Sequence, residues 1–178
     1  MTERETLWIE EAKEGDHKAF KSLYELHVTA LFRFLKQFSS DTTLVEDWVQ
    51  RAFIKAFEHL RDFRGSARFS TWLFTLGLNE MRMDRRRAQI VPMASLENDK
   101  FSPSESEPEQ WEWDETMKTW MRDLDETKRA VFVLYEIEGY SHAEIAEMLN
   151  VAESTSRTLL SRTKRYLQER WKTEETRR

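Results

Sequence analysis

Two stretches of this chain concentrate the side chains that hold polyanions. Arg64 to Arg87 carries six arginines beside Phe63, Phe69, Trp72, Phe74 and Asn79. Rings interleaved with cations suit single-stranded nucleic acid, whose bases stack on aromatic faces while guanidinium groups follow the phosphates. The plainer reading makes these rings helix core, and it is expected to hold for Leu73, Leu76 and most of Trp72. It accounts less well for the loop Arg64–Arg68 and the run Arg85-Arg86-Arg87, because an ordinary solvated face mixes both signs. The second stretch is a basic helix with Arg157, Arg162, Lys164 and Arg165 exposed. It follows Ser141-His142-Ala143-Glu144-Ile145-Ala146-Glu147-Met148-Leu149-Asn150-Val151, where Ser141 and Glu144 have capping-box spacing. Ile145 and Leu149 face inward, Ala146 leaves room for a crossing helix, and Asn150 suits a left-handed cap. Ser154 is the expected cap of the basic helix, and Leu160 and Leu167 its core positions. This is helix-turn-helix spacing, in which the second helix can enter a major groove. A helical hairpin with a solvated basic face is the competing reading.

Groups for catalysis are not assembled. His17, His27, His59 and His142 are scattered, with no pair at metal-ligand spacing. Without cysteine there is no disulfide, thiolate zinc site or thiol redox switch. No serine or threonine sits in a nucleophile elbow, and Gly15, Gly65, Gly77 and Gly139 lie too far apart for a phosphate-binding loop. The chain is expected to be no enzyme and to carry no cofactor or metal.

The elements that must position these groups read as helices. Asp16 caps one carrying Phe20, Leu23, Tyr24, Leu31, Leu35 and Phe38, which ends at Ser39-Ser40-Asp41. A second helix sets Val45, Trp48, Val49, Ala52, Phe53, Ala56, Phe57 and Leu60 on one broad face. A third starts near Ser70 and runs out in Asp84-Arg85-Arg86-Arg87. From about Gln89 to Gln110 the periodicity is lost among Pro92, Pro103, Pro108, serines and glutamates, a composition that buries too little apolar surface to offset chain entropy. Beyond it come a tryptophan-rich helix (Trp111, Trp113, Met117, Trp120, Met121) and a helix from Asp125 with Val131, Phe132, Leu134, Tyr135 and Ile137. The expected fold is all-α: two small helical domains joined by a flexible acidic linker, the second containing the helix-turn-helix. The expected boundaries are 1–88, 89–110 and 111–178.

With 39% hydrophobic and 34% charged residues in 178, the chain fits neither a membrane protein nor a typical disordered one. No apolar run approaches the ~20 residues of a membrane span. The acidic start is unlike a secretory signal, so a cytoplasmic protein without membrane insertion is expected. A net charge of −5 by itself opposes nucleic-acid binding. Its distribution reverses that. Residues 51–90 carry 9 basic and 4 acidic groups, residues 91–126 carry 3 and 11, and residues 151–172 carry 6 and 2. Phosphates respond to such local patches rather than to net charge.

In sequence order these features resemble the extracytoplasmic-function sigma factors of bacterial RNA polymerase, over about residues 9 to 170. Gly15-Asp16-His17-Lys18-Ala19-Phe20 with Leu23-Tyr24 is similar to the family's opening helix. Glu46-Asp47-Trp48-Val49-Gln50, then Ala52-Phe53 and Ala56-Phe57, resembles its polymerase-binding helix. Phe63-Arg64-Gly65, Phe69-Ser70-Thr71-Trp72-Leu73, Asn79, Asp84 and Arg87 resemble the promoter-melting segment. Gly139-Tyr140-Ser141, Ala143-Glu144-Ile145-Ala146, Leu149, Glu153, Thr155, Arg157, Leu160 and Arg162 resemble the domain that reads the −35 element. The chain departs from the pattern at Arg51 (commonly glutamate), Ser156 (valine), Leu159 (arginine), Asn150 (glycine) and Ala152 (proline).

The resemblance implies a sigma factor that directs promoter recognition and initiation and catalyses nothing itself. Ser154, Thr155, Arg157, Thr158, Ser161, Arg162, Lys164 and Arg165 would read −35 duplex. Arg64, Ser66, Arg68, Phe69, Trp72, Asn79, Arg85, Arg86 and Arg87 would hold the −10 non-template strand, with the Arg64–Phe69 loop accepting an unstacked base. Glu46, Asp47, Trp48, Gln50 and Arg51 would face core polymerase, while the acidic linker threads toward its active centre. Implied partners are core RNA polymerase, promoter DNA and an anti-sigma factor. Arg51 adds a question, since it lies four residues after Asp47 on the same face. It either pairs inward with Asp47, or opposes docking, or is a tolerated surface arginine. In the second case phosphate from a Ser/Thr kinase on Thr42 or Thr43 would restore negative charge at the helix start. Two rivals are a helix-turn-helix repressor or activator with an N-terminal sensor or dimerisation domain, and a non-DNA helical adaptor. Neither has evident use for both basic patches.

Overall fold

The computed structural model describes residues 2–90 and 115–177, which form two compact units. The expected linker, with Trp111 and Trp113, lies outside the described residues, except that residues 89–90 close a helix.

The first unit contains α1 (Glu3–Lys13), α2 (His17–Lys36), α3 (Thr42–Glu58), a 3₁₀ turn (Leu60–Asp62) and α4 (Phe69–Ile90). Helix α1 is not among the expected elements, although its start is legible. Thr2 and Glu5 form a reciprocal capping box. The Asp16 carboxylate accepts from the Lys18 and Ala19 amides, and that of Asp41 from the Leu44 amide, so a short acid opens both α2 and α3. Helix α4 begins at Phe69, one residue before the expected start. Leu23, Leu31, Phe34, Val45, Leu73 and Phe74 fill the core. Phe57 does not join it; at 42% exposed it lies on the outer side of α3 against His17 and Phe20. Gly77 sets the approach of α2 to α4, since a Cβ there would stand 2.9 Å from Leu31 Cδ1.

Apolar packing fixes the depth of α3 against α4, and a charged cluster fixes its rotation. Glu80 of α4 is 2% exposed, and its carboxylate meets Lys55 Nζ and, at 3.7 Å, Arg51 Nη1. Arg51 Nη2 also contacts Asp47 at 2.5 Å and Asp84 at 3.7 Å. Trp48 donates its indole N–H to Asp84 at 3.2 Å. Arg51 therefore turns inward, as the first of its three alternatives required. The case for repulsion of the polymerase, and with it the motive for a phosphate at Thr42 or Thr43, is lost. The Thr42 hydroxyl is itself held by Lys36 Nζ at 2.6 Å.

The second unit contains α5 (Glu115–Asp123), α6 (Glu126–Phe132), a π-helical segment (Val133–Ile137), α7 (His142–Leu149) and α8 (Glu153–Arg177). The helix expected from Asp125 is present, with Asp125 as its cap, but the winding widens over the last five residues of that stretch. The segment then reverses at Gly139, whose φ of 72° favours a residue without Cβ. Tyr166 and Arg170 of α8 both reach Asp123, at 3.2 and 3.1 Å, which ties the long helix back to α5.

Arg51→Glu, which installs the residue common in the resembled family, would face Asp47, Glu80 and Asp84 with a fourth carboxylate. Lys55 still neutralises Glu80, so the expected loss is about 1–3 kcal/mol rather than the roughly 3–5 of an orphaned buried charge. Denaturant unfolding of the variant measures it, and unchanged stability would deny the cluster its role.

Candidate nucleic-acid interface

The helix-turn-helix is built as its sequence indicates. Ser141 and Glu144 close the capping box, and Asn150 takes the left-handed conformation at φ 53°, ψ 52°. The Val151 amide donates back to the Ala146 carbonyl at 3.0 Å. One expectation fails at the next helix. Helix α8 starts at Glu153, and the Thr155 and Ser156 amides donate to the Ala152 carbonyl, so Ser154 lies inside the first turn rather than capping it.

Buried Ser156, Leu160, Thr163 and Leu167 form the inner side of α8. The opposite side presents all eight residues assigned to duplex reading: Ser154, Thr155, Arg157, Thr158, Ser161, Arg162, Lys164 and Arg165 are exposed. Arg157, Leu160, Ser161, Lys164, Arg165 and Gln168 line one shallow groove along it. Gln168, not among the expected residues, adds a donor and an acceptor to this groove. Two of the cations are engaged within the protein. Arg157 pairs with Glu153, and Lys164 with Glu136 at 2.9 Å. Exposed pairs of this kind contribute only about 0–1 kcal/mol, so phosphate displaces them at little cost.

Behind this face lies a polar contact that composition could not reveal. Ser156 is fully buried, and its hydroxyl lies 2.9 Å from His142 Nδ1 at the start of α7. The imidazole stacks on Tyr135, with centroids 4.5 Å apart at 22°. Burial, then the Arg157 charge, hold the His142 pKa below its ordinary 6.5, while Glu153 opposes the shift. The departure from valine at residue 156 thus links the two helices of the motif by a hydrogen bond.

In the first unit the basic loop stands between two rings. Phe63 and Phe69 meet edge-on, with centroids 5.8 Å apart at 89°, and Trp72 packs against both. Arg64, Ser66 and Arg68 are exposed above them, and Gly65 turns the chain at φ 71°. Asn79, Arg86 and Arg87 are exposed along α4. Four of the assigned side chains, Phe69, Arg85, Trp48 and Arg51, are buried or engaged within the protein. Phe69 is 0% exposed, because the loop needs an apolar anchor, so it supports the loop and offers no face to a base. Arg85 is partly buried and donates to the Phe38 carbonyl at 2.7 Å. Trp48 is 1% exposed and is occupied by Asp84, so of the five residues assigned to a protein partner only Glu46, Asp47 and Gln50 are exposed. Among the described residues no His, Cys, Asp or Glu group of three could hold a metal ion, and no helix is long and apolar enough to cross a membrane.

A helix-turn-helix with a cationic outer face, together with a separate helical unit carrying a basic loop, defines a two-unit helical DNA-binding protein. Residues 23–90 match the family Sigma-70 region 2 and residues 117–167 the family Sigma-70, region 4, so α1 precedes both matches. The chain is 31% identical over 160 residues to the RNA polymerase sigma factor NccH of Alcaligenes xylosoxydans xylosoxydans, covering 85% of this chain and 86% of the relative. It is 30% identical over 171 residues to the ECF RNA polymerase sigma-E factor of Escherichia coli K12, covering 86% and 87%. In fold it is similar to CnrH solved with the cytosolic domain of CnrY, at a TM-score of 0.71 and 24% identity over 96% of this chain and 99% of that one. It is also similar to the sigma factor RpoE solved with the anti-sigma factor NepR from Bartonella quintana, at 0.70 and 25% over 87% and 98%. The chain belongs to the extracytoplasmic-function sigma factors, and its role is promoter recognition for RNA polymerase.

The depressed His142 pKa has a definite sign for stability. Above about pH 6.5 the ring is neutral in both folded and unfolded chains, and its packing contributes in full. As pH falls below 6.5 the unfolded chain takes up the proton first, and stability is lost down to the folded value. Imidazole NMR titration is expected to place His142 below 6.5. Thermal stability should fall less between pH 7 and 5.5 in His142→Asn than in wild type. A His142 midpoint at or above 6.5 contradicts the burial account.

Proposed function

We propose that the two units divide promoter recognition between duplex and single strand. Helix α8 reads the −35 element in the major groove through Ser154, Thr155, Arg157, Thr158, Ser161, Arg162, Lys164 and Arg165. The observation that carries this is that all eight share the exposed side of a helix whose other side is seated by Leu160 and Leu167. In the first unit, Arg64, Ser66, Arg68 and the accessible part of Trp72 capture the −10 non-template strand, with Asn79, Arg86 and Arg87 along the neighbouring helix. Glu46, Asp47 and Gln50 face core RNA polymerase, and the acidic segment 89–110 joins domains 1–88 and 111–178. The protein acts in the cytoplasm and performs no chemistry; opening is driven by binding free energy that favours the separated strand. An anti-sigma factor is the expected regulator, as the similar RpoE chain is solved with one.

Arg157→Ala and Arg162→Ala are each expected to cost about 1–3 kcal/mol of promoter affinity and to relax sequence preference at one position. Lys164→Ala should weaken all sequences alike and lower the salt slope by about one. Binding titrations on a set of −35 variants at several salt concentrations separate the two behaviours. Uniform loss from both arginine variants would make them phosphate anchors and remove base reading from this face.

A further inference from the structure

Helix α1 touches the foundation of the single-strand loop at three places. At its N-terminal end Glu5 is 7% exposed and its Oε1 lies 3.0 Å from His27 Nε2 on α2. The His27 ring in turn rests on Phe69, with centroids 5.4 Å apart. At the C-terminal end Lys13 Nζ stands 5.8 Å from the centre of the Phe63 ring, and the Lys13 carbonyl accepts from Arg61 Nε at 3.1 Å. Phe63 and Phe69 are the residues that flank the loop 64–68 on either side. Both anchors of the loop are therefore backed by α1, one directly and one through His27.

We propose that α1 is a positioning element for single-strand capture, in which Glu5 holds His27 against Phe69 so that the ring pair under the Arg64–Arg68 loop keeps one geometry. This rests on the reading of that loop as the −10 strand site. A carboxylate oxygen accepts, so Nε2 of His27 donates, and that choice fixes the tautomer and the ring plane facing Phe69. Burial lowers the His27 pKa even though Glu5 favours the charged form, so at neutral pH the contact is a hydrogen bond from a neutral ring. The contact therefore requires an acceptor at position 5 rather than a negative charge. Neither Glu5 nor His27 is placed to touch DNA, since both are largely buried. Their action is on the rings alone.

The test uses the full chain reconstituted with core RNA polymerase. Two quantities are measured for each variant: binding to a fork-junction DNA whose −10 segment is single-stranded, and assembly with the core enzyme. Glu5→Ala and His27→Leu are expected to weaken fork-junction binding about fivefold to tenfold, as loss of a partly buried hydrogen bond allows, with assembly within about twofold of wild type. Glu5→Gln, which keeps an acceptor, and His27→Gln, which keeps a donor, should recover most of the loss. Fork-junction binding that is unchanged in Glu5→Ala and His27→Leu overturns the proposal. So does a parallel loss of assembly and DNA binding, which would show a general folding role, and so does failure of both glutamine variants to recover binding. Arg64→Ala and Arg68→Ala separate the two levels of inference. If they weaken fork-junction binding and the Glu5 and His27 variants do not, only the role of α1 falls. If all leave it unchanged, the strand site itself is misplaced and the proposal falls with it.

Discussion

The Glu80 carboxylate is the constraint around which the first unit is arranged. A charge that is 2% exposed must be compensated within the protein, because desolvation leaves it no alternative partner. Lys55 and Arg51 supply that compensation from positions one turn apart on α3, and Arg51 is aligned by Asp47 and Asp84. Rotating α3 by even one residue would withdraw both cations. The angular relation between the acidic outer face of α3 and the polar outer face of α4 is thereby set by electrostatics, whereas close packing at Gly77 sets the spacing of α2 from α4. Since α3 carries the residues proposed to face the polymerase and α4 some of those proposed to hold the opened strand, the cluster would keep the two proposed surfaces in register.

The second unit meets the same requirement with a neutral contact. Apolar residues seat α8 on its neighbours, yet leucines alone tolerate small rotations. A hydrogen bond between His142 and the buried Ser156 hydroxyl selects one rotation, because any other leaves both groups unpaired. The outward cations then project along one line. Two of them, Arg157 and Lys164, pair with Glu153 and Glu136, and such exposed pairs compete only weakly with phosphate.

Much of this was legible along the chain. Capping residues mark where helices start: Asp16 and Ser141 are expected as such, while Thr2 and Asp41 open α1 and α3 without having been expected to. The left-handed turn at Asn150 and the exposed cationic stripe of α8 also follow from local spacing, because both depend on residues within a few positions of each other. Ser154 falls inside α8 rather than at its cap because helix boundaries shift by a residue at little local cost.

Sequence alone determined the helical class, the two basic patches and the helix-turn-helix, since each rests on periodicity or composition within one segment. Only the tertiary structure decided which side chains of a patch are available. Phe69 and Trp48 have the same residue types as a stacking platform or an interface anchor, but each is buried by neighbours distant in sequence. Arg51 faces inward because Glu80 and Asp84 lie beside it on another helix, and Arg85 is held by the Phe38 carbonyl 47 residues away. Glu5, His27, His142 and Ser156 acquire their pairing in the same way. Burial and partnership are properties of contacts across the chain, and no local pattern encodes them.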